Sequence, residues 1–393
     1  MLIFLPFKTK KKGYFVGIQE IAGNIYSTKS ALNAEGFYNV TTMAILNYVD
    51  EDKSYDYPIS IPRWMDKFPN MRKYYVFFQV TFYMPQFLYK NDCFIFFWNR
   101  SFFPMNLDLI LLKFLKKKIA IFHCGDDVRY RPIHNILMKK EGVKDVYPKL
   151  KEAFPNLSFV QKIFYQKFPH FLNIPVYTLM QIETFLDRGA YHFRFYQKDF
   201  LAPHHKTNND IPIIVHAPSN RDIKGTQIVL EAIEMLRNQN IKFNFLLLEN
   251  KVNTEVLKIL KVADIVIDYP GTWVGRLAVE GMAHSCIVFG AFNPQYEKCY
   301  WDLPILPFTK NPAELAEGIR RILLDQKKKS QYKEKSFHAY QTYYNSGQFV
   351  KSLNAALSGN AAKELFPHSD YKEKLLDAAE NLFQRLMIRI FVK

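Results

Sequence analysis

The stretch Ile211-Pro212-Ile213-Ile214-Val215-His216-Ala217-Pro218-Ser219-Asn220-Arg221-Asp222-Ile223-Lys224-Gly225-Thr226 reads as a buried strand, a turn and the start of a helix. Ile211 to Val215 is a short apolar run fit for a strand covered on both faces, and Pro218 to Arg221 supplies the turn. Val229, Ala232, Ile233 and Leu236 then recur at i, i+3, i+4 and i+7, the period of an amphipathic helix. The pattern repeats down the chain. Phe243 to Leu248 reads as a strand, Asn253 or Thr254 as the cap of a helix to about Leu260, and Asp264 to Asp268 as a third strand. Gly275 to Ala283 reads as a helix, Cys286 to Phe289 as a fourth strand, and Pro312 as the first turn of a helix to about Leu324. Alternating apolar strands and amphipathic helices predict an α/β domain with a parallel sheet covered on both faces.

The first half alternates more faintly. Tyr14 to Gly17 reads as its first strand, Ser27 to Ala34 as a helix, Leu107 to Lys118 as a Lys-ended helix and Ile119 to Phe122 as a later strand. The Phe/Tyr-rich region from Tyr74 to Phe103 resists assignment. Pro203 to Asp210 is polar and reads as an interdomain linker. The organisation expected is residues 1–205, residues 206–360 and a terminal helix over 361–393. In that last segment Leu375, Ala379, Leu382, Phe383, Leu386 and Ile390 form one apolar stripe. It is expected to be buried by crossing back to the first domain, its rival being an amphipathic membrane helix.

The 393 residues are 49% hydrophobic and 23% charged, which excludes a disordered, collagen-like or polytopic membrane chain. Aromatic content is high at 16% and the formal net charge is +16. Residues 1–205 hold 28 Lys and Arg against 17 Asp and Glu, and residues 206–393 hold 25 against 20. Such a first half suits nucleic acid, an anionic membrane or a phosphorylated substrate, or simply reflects drift toward Lys, Phe, Tyr and Ile. Cys93, Cys124, Cys286 and Cys299 form no C-x-x-C pair, so neither a zinc site nor a disulfide framework is suggested, and a cytoplasmic chain is expected. No secretory signal or spanning segment is read from the sequence.

Two segments carry chemistry. In the first, Arg221 and Lys224 set two cations beside a helix N-terminus, and Gly225 permits close backbone approach while Thr226 can cap. Anions favour such a place, because unpaired N–H groups and the helix dipole point at them. A surface turn with two solvated cations would read the same way. The second runs from Asp264 through Tyr269, Pro270, Gly271, Thr272, Trp273 and Val274 to Gly275, and on to Glu280 and Ala283. Gly275 leaves room for a ligand at the helix start, and Glu280 can accept hydrogen bonds from ribose hydroxyls. A lone Glu on a helix is more often solvated.

Together the H-A-P-S-N-R-x-x-K-G-T pattern and the A-D-I-V-I-D…W-x-G-x-x-A-x-E-x-M-A pattern resemble the C-terminal domain of the glycosyltransferase group 1 family, the retaining GT-B enzymes. The resemblance covers residues 211–325 clearly. It implies a GT-B fold, two Rossmann-like domains whose parallel sheets face across a cleft. It implies a metal-independent hexosyltransferase with no cofactor, using a nucleotide-diphosphate sugar as co-substrate. Arg221 and Lys224 would bind the diphosphate and act in catalysis, Glu280 would hold the ribose, and Gly225, Thr272 and Gly275 would line the donor site. The chain departs from the family at Thr272, where many members carry a Glu, at Arg276, where an apolar residue is usual, and at His284-Ser285-Cys286-Ile287, where L-G-K-P is common.

In the first half, Phe122-His123-Cys124-Gly125-Asp126-Asp127-Val128-Arg129 resembles a strand-ending H-G-S-D-[IV]-R segment of related enzymes. His123 and Asp127 are then expected at the reaction centre. Gly23, Asn24, Gly125 and Arg129 are expected on the acceptor side. A buried structural His and a loop-shaping Asp–Arg pair are the plain alternatives. The partners implied are a nucleotide sugar, a glycan or lipid-linked acceptor and an anionic membrane surface on the inner face of the cell membrane, with no nucleic acid. Asp50-Glu51-Asp52 has D-x-D spacing but reads as a solvated loop, and His204-His205 lacks a ligand set, so no metal site is expected. The rival reading is a non-catalytic, degenerate partner in a polysaccharide-assembly complex.

Overall fold

A computed structural model describes residues 13–21, 23–46, 54–98, 100–124, 127, 159–178, 191–192, 209–222, 224–268, 274–290, 303–308, 311–359, 371–377, 379 and 381–391. The chain divides into two compact units. The first takes in Met1–Val143, Phe154–Phe193 and Val350–Lys393, and the second Lys144–Ala153 and Arg194–Phe349.

In the first unit the described elements run β1 (Tyr14–Ile18), α1 (Asn24–Ala34), β2 (Val40–Leu46), β3 (Tyr57–Ser60), α2 (Pro69–Lys90), β4 (Cys93–Phe97), α3 (Asp108–Phe114), β5 (Lys118–His123), α4 (Phe159–Phe171), β6 (Val176–Thr178) and β7 (Tyr191–His192). The strands form one parallel sheet in the order β3-β2-β1-β4-β5-β6-β7. Order therefore reverses between β1 and β4, and a parallel sheet opens a crevice beyond its carboxyl ends at such a reversal. β1 and β4 are buried along their whole length, as central strands covered on both sides must be. On one face Phe15, Phe87, Phe94, Phe96 and Phe102 pack ring against ring, Phe15 lying 5.0 Å from Phe102 and Phe96 5.3 Å from it. Much of the aromatic content thus fills this core.

The region from Tyr74 to Phe103 that the sequence left open holds most of α2 and all of β4. The helix expected over Leu107 to Lys118 is shorter and ends at Phe114. Lys116 takes a left-handed φ of 55°, the Lys117 amide returns to the Leu112 carbonyl, and the chain enters β5 at Lys118.

The second unit runs β8 (Ile213–His216), α5 (Thr226–Asn238), β9 (Asn244–Leu247), α6 (Asn253–Leu260), β10 (Ile265–Ile267), α7 (Arg276–Ala283), β11 (Ile287–Phe289), β12 (Ile305–Leu306), α8 (Pro312–Leu324) and α9 (Gln326–Tyr343). Its parallel sheet has the order β12-β11-β10-β8-β9, reversing between β8 and β10. The expected strands and helices all appear here, with ends moved by a residue or two. The capping differs. α5 starts from Gly225 at φ 61°, and Thr226 turns its hydroxyl to His216; α6 starts from Val252 with no side-chain cap. Asn311 caps α8 by accepting from the Ala313 amide.

α10 (Ser346–Leu357) carries the chain into the first unit, followed by α11 (Tyr371–Asp377) and α12 (Leu382–Phe391). There the Tyr14 hydroxyl donates to Asn354 Oδ1 and the Tyr177 hydroxyl to the Ser352 carbonyl. α12 packs on α4. The single buried stripe expected of the tail is not what forms. Leu375 and Ile388 are buried, whereas Leu382, Phe383, Leu386 and Ile390 are exposed. Two short helices, α11 and α12, are described where one long helix was expected.

Candidate donor and acceptor sites

In the second unit, β8 and β10 end side by side with Ile267 opposite His216. His216 is fully buried; its Nδ1–H donates to the Ile267 carbonyl at 2.8 Å, and its Nε2 accepts from the Thr226 hydroxyl at 3.0 Å. Burial pushes the imidazole below its ordinary pKa, and both ring nitrogens are used. His216 is a neutral brace between β8, β10 and the start of α5.

The residue after β10, Asp268, is buried and joins two parts of the expected donor site. Its Oδ1 accepts from Lys224 Nζ at 2.9 Å, and its Oδ2 accepts from the Gly275 amide at 2.9 Å. A Cβ at Gly275 would lie 2.2 Å from Asp268 Oδ2, so glycine is required by this contact rather than by φ, which is −80°. An ammonium has three donors, and Asp268 takes one of them. Helix amides after the cap, such as those of Leu277 and Ala278, have no acceptor inside α7. Asp268 therefore ties Lys224 to the start of α7 at the reversal between β8 and β10.

Glu280 sits one turn further along α7 and is buried, not solvated. Its Oε1 accepts from Asn253 Nδ2 at 2.9 Å, and Arg276 Nε lies 3.5 Å away. The unusual Arg276 thus sets a cation beside this carboxylate. α7 lies close on the sheet because residue 281 is glycine; a Cβ there would meet Val266 at 3.2 Å.

The departure at His284-Ser285-Cys286 also has a physical form. Ser285 takes φ 54°, its amide bonds the Met282 carbonyl and the Cys286 amide bonds the Gly281 carbonyl, which closes α7 in a Schellman turn. A non-glycine residue in that conformation costs roughly 1–2 kcal/mol. Ser285→Gly is expected to stabilise the protein by about 0.5–1 kcal/mol, once glycine's larger unfolded-state entropy is subtracted. Denaturant melts of the two proteins measure it, and a loss of stability would contradict this account.

Arg221 pairs with a different carboxylate. It is exposed and makes a two-pronged ion pair with Glu249, at 2.6 and 2.7 Å. Each of the two expected cations therefore has its own carboxylate. Gly225 is placed at the start of α5, while Thr272 lies outside the described residues.

In the first unit, β5 ends on His123, which is fully buried. Its Nδ1–H donates to Asp127 Oδ2 at 3.0 Å, and its Nε2 has no partner among the described residues. Asp127 Oδ1 accepts from the Cys124 amide at 3.1 Å. Burial, with the Asp127 charge, pushes the Cys124 thiol well above its ordinary pKa. Asn24 Nδ2 lies 3.8 Å from Cys124 Sγ, so the loop at Gly23 and Asn24 is brought beside His123 and Asp127. Gly23 takes φ 74° at the start of α1. Gly125 and Arg129 lie outside the described residues, as do Asp50-Glu51-Asp52 and His204-His205. Among the described residues no group of three or more His, Cys, Asp or Glu is placed to hold a metal.

Sequence reasoning gave Asp268, Asn253 and Glu249 no place in the site, and read Asn253 only as a helix cap. It also missed Arg100, which follows β4 and donates to Gln19 Oε1 at 2.9 Å across the reversal between β1 and β4. Burial lowers the pKa of this guanidinium. A long apolar run followed by an Arg was the available signal.

No protein-family model and no curated protein matches the chain. Among solved structures it is similar to a glycosyltransferase from Rickettsia africae ESF-5, at 13% identity and a TM-score of 0.55, over 90% of this chain and 100% of that one. It is similar to Anabaena HepE in complex with UDP, at 10% identity and a TM-score of 0.55, over 89% of this chain and 100% of that one. It is also similar to WaaG, a glycosyltransferase involved in lipopolysaccharide biosynthesis, at 13% identity and a TM-score of 0.53, over 88% and 99%. The likeness is one of fold: the chain is built on the GT-B plan of these glycosyltransferases, two Rossmann-like α/β units each with its own parallel sheet.

Proposed function

We propose that the protein transfers a sugar from a nucleotide-diphosphate donor to an acceptor hydroxyl. The observation that carries this reading is the placing of Lys224, the start of α7 and the buried Glu280 around the strand-order reversal of the second sheet. That Anabaena HepE, a protein of the same fold, has been solved with UDP and with UDP-glucose supports a nucleotide sugar as the ligand. Breaking the anomeric bond builds negative charge on the leaving diphosphate. Lys224, Arg221 and the α7 amides would meet that charge with fixed donors, which lowers the barrier without a metal ion. Glu280 would take the ribose hydroxyls. The anomeric configuration would be retained, with a leaving phosphate oxygen accepting the acceptor's proton. His123, held by Asp127, and the Gly23–Asn24 loop would serve the acceptor. A hexose donor and a glycan or lipid-linked acceptor, in cell-surface polysaccharide or glycolipid synthesis at the inner face of the membrane, complete the reading.

A second reading has its own observation. Asp268 already occupies one Lys224 donor and the Gly275 amide, as a bound phosphate oxygen would. A non-catalytic glycosyltransferase-like partner in a polysaccharide-assembly complex would fit that arrangement.

A thermal-shift screen of nucleotide sugars, followed by assays of donor hydrolysis and transfer, tests the two. A ligand at about 100 times its Kd raises stability by about 2.7 kcal/mol. Glu280→Gln keeps an acceptor for Asn253 but removes the charge. It is expected to weaken donor use about 10- to 150-fold, the worth of one charged hydrogen bond. Glu280→Ala is expected to lose about 1–3 kcal/mol of stability as well, because Asn253 and Arg276 are left without it. Unchanged donor kinetics in Glu280→Gln would remove Glu280 from the site.

A further inference from the structure

α2 is apolar on two opposite faces. Val76, Val80, Met84 and Phe87 are buried against the first sheet. On the other side Met71, Tyr74, Phe78, Phe82, Pro85 and Tyr89 follow one another at steps of three or four residues. At 100° per residue those six fall within about 80° of arc. They face water: Phe78 is 68% and Phe82 78% exposed. A helix that is apolar all round is ordinarily covered all round.

The same helical layer continues the surface. Phe77 lies 5.8 Å from Phe103, which leads into the turn before α3, and α3 turns Ile110 and Phe114 outward. α4 contacts that turn and carries α12, whose Leu382, Phe383, Leu386 and Ile390 are exposed. Among the described residues of the second unit the exposed large apolar side chains include no aromatic ring.

Its charge is one-sided. Between Arg63 and Lys118 ten Lys and Arg stand against three Asp and no Glu. Asp108 is buried, Asp66 pairs with Arg72, and Asp92 lies 3.8 Å from Lys117. Exposed cations stand at both ends of the stripe, at Lys67 and Lys73 and at Lys90, and Arg385 and Arg389 flank the apolar face of α12. Two copies meeting on this face would bring like charges together, which opposes association. An anionic lipid surface complements it, with aromatic rings entering the headgroup level and cations meeting the phosphates. No described helix is long and apolar enough to cross a membrane, which fits a surface that lies on one.

We propose that the outer face of α2, extended by α3 and α12, is a docking surface for an anionic lipid bilayer, seated by the Met71–Tyr89 aromatic stripe. This deepens the membrane side of the proposed function, and it is tested without any donor, so its failure leaves the nucleotide-sugar reading standing.

The experiment is flotation of the full chain with vesicles of phosphatidylcholine, alone or enriched in phosphatidylglycerol. The wild-type protein is expected to float with the anionic vesicles and to be released by salt. Phe78→Ser with Phe82→Ser is expected to weaken binding about 10-fold or more, since both rings leave water only on docking. Leu386→Ser with Ile390→Ser, on another helix, guards against a local folding defect and is expected to weaken binding as well. Equal binding by wild type and both double variants overturns the proposal, as does no binding by wild type. Self-association of the wild type that the Phe78/Phe82 variant abolishes, with vesicles ignored, assigns the face to a second copy and also overturns it.

Discussion

Asp264→Ala is expected to be among the most destabilising single changes in the second unit, lowering stability by about 3–5 kcal/mol. Asp264 precedes β10 and is fully buried. Its Oδ2 accepts from Asn209 and from the Ile213 amide, and its Oδ1 accepts from Lys333 at 2.6 Å. Lys329, fully buried on the same helix, lies 3.4 Å from Oδ1 without the alignment of a hydrogen bond. Removing the carboxylate takes from two buried ammonium groups the counter-charge they share. The opposite change predicts the opposite sign. Lys329→Met removes a charge whose burial lowers its own pKa, and it leaves Lys333 and Asp264 paired one to one. It is expected to be neutral or stabilising by about 1–4 kcal/mol. Urea melts at neutral pH measure both, and equal losses from the two variants would refute the asymmetry.

The pH dependence follows from the same group. Burial raises the Asp264 carboxyl, but the bonds from Lys333, Asn209 and the Ile213 amide outweigh it and hold the pKa below its ordinary value. A carboxyl depressed in the folded state contributes stability above its unfolded pKa, about 4, and that stability is lost as pH falls through the folded value. Asp264→Asn is expected to flatten the acid limb of the stability curve below pH about 4.

The parts of the fold that could be read in advance are those where polar and apolar residues contrast. In α5, Val229, Ala232, Ile233 and Leu236 face the core while Glu231, Glu234 and Arg237 do not, so a 3.6-residue period shows through. α2 hid because its second face is also apolar; with rings at Phe78 and Phe82 opposite Val76 and Val80, no period stands out. The tail misled for the converse reason. Its apolar period is real, but it marks a face turned to solvent. The site divides likewise. Lys224, Gly275 and Glu280 stand in recognisable local patterns, whereas their partners come from strand order. Asp268 is 44 residues from Lys224, Asn253 is 27 from Glu280, and Arg100 is 81 from Gln19. Nothing local to Asp268 says that the reversal between β8 and β10 will place Lys224 and Gly275 on its two oxygens.

That arrangement sets the second large expected effect, on donor binding. Gly275→Ala is expected to weaken the binding of UDP about 10- to 150-fold, one charged hydrogen bond's worth. The added carbon would lie 2.2 Å from Asp268 Oδ2, so the carboxylate or the start of α7 must shift. Either movement takes Lys224 out of register with the α7 amides, because Asp268 is the link between them. Lys224→Ala is expected to weaken UDP binding by a similar factor, and the two changes together by less than the product, since they act on one anion place. Asp268→Ala decides what the carboxylate is for. If Asp268 positions Lys224 for a diphosphate, its loss weakens UDP binding. If Asp268 stands in for the diphosphate, as the non-catalytic reading has it, its loss frees both donors and UDP binds more tightly than to wild type. Isothermal titration of the four variants with UDP, beside thermal melts of the same proteins without ligand, separates binding from stability. UDP binding unchanged in both Gly275→Ala and Lys224→Ala would mean that no phosphate is held at this helix start.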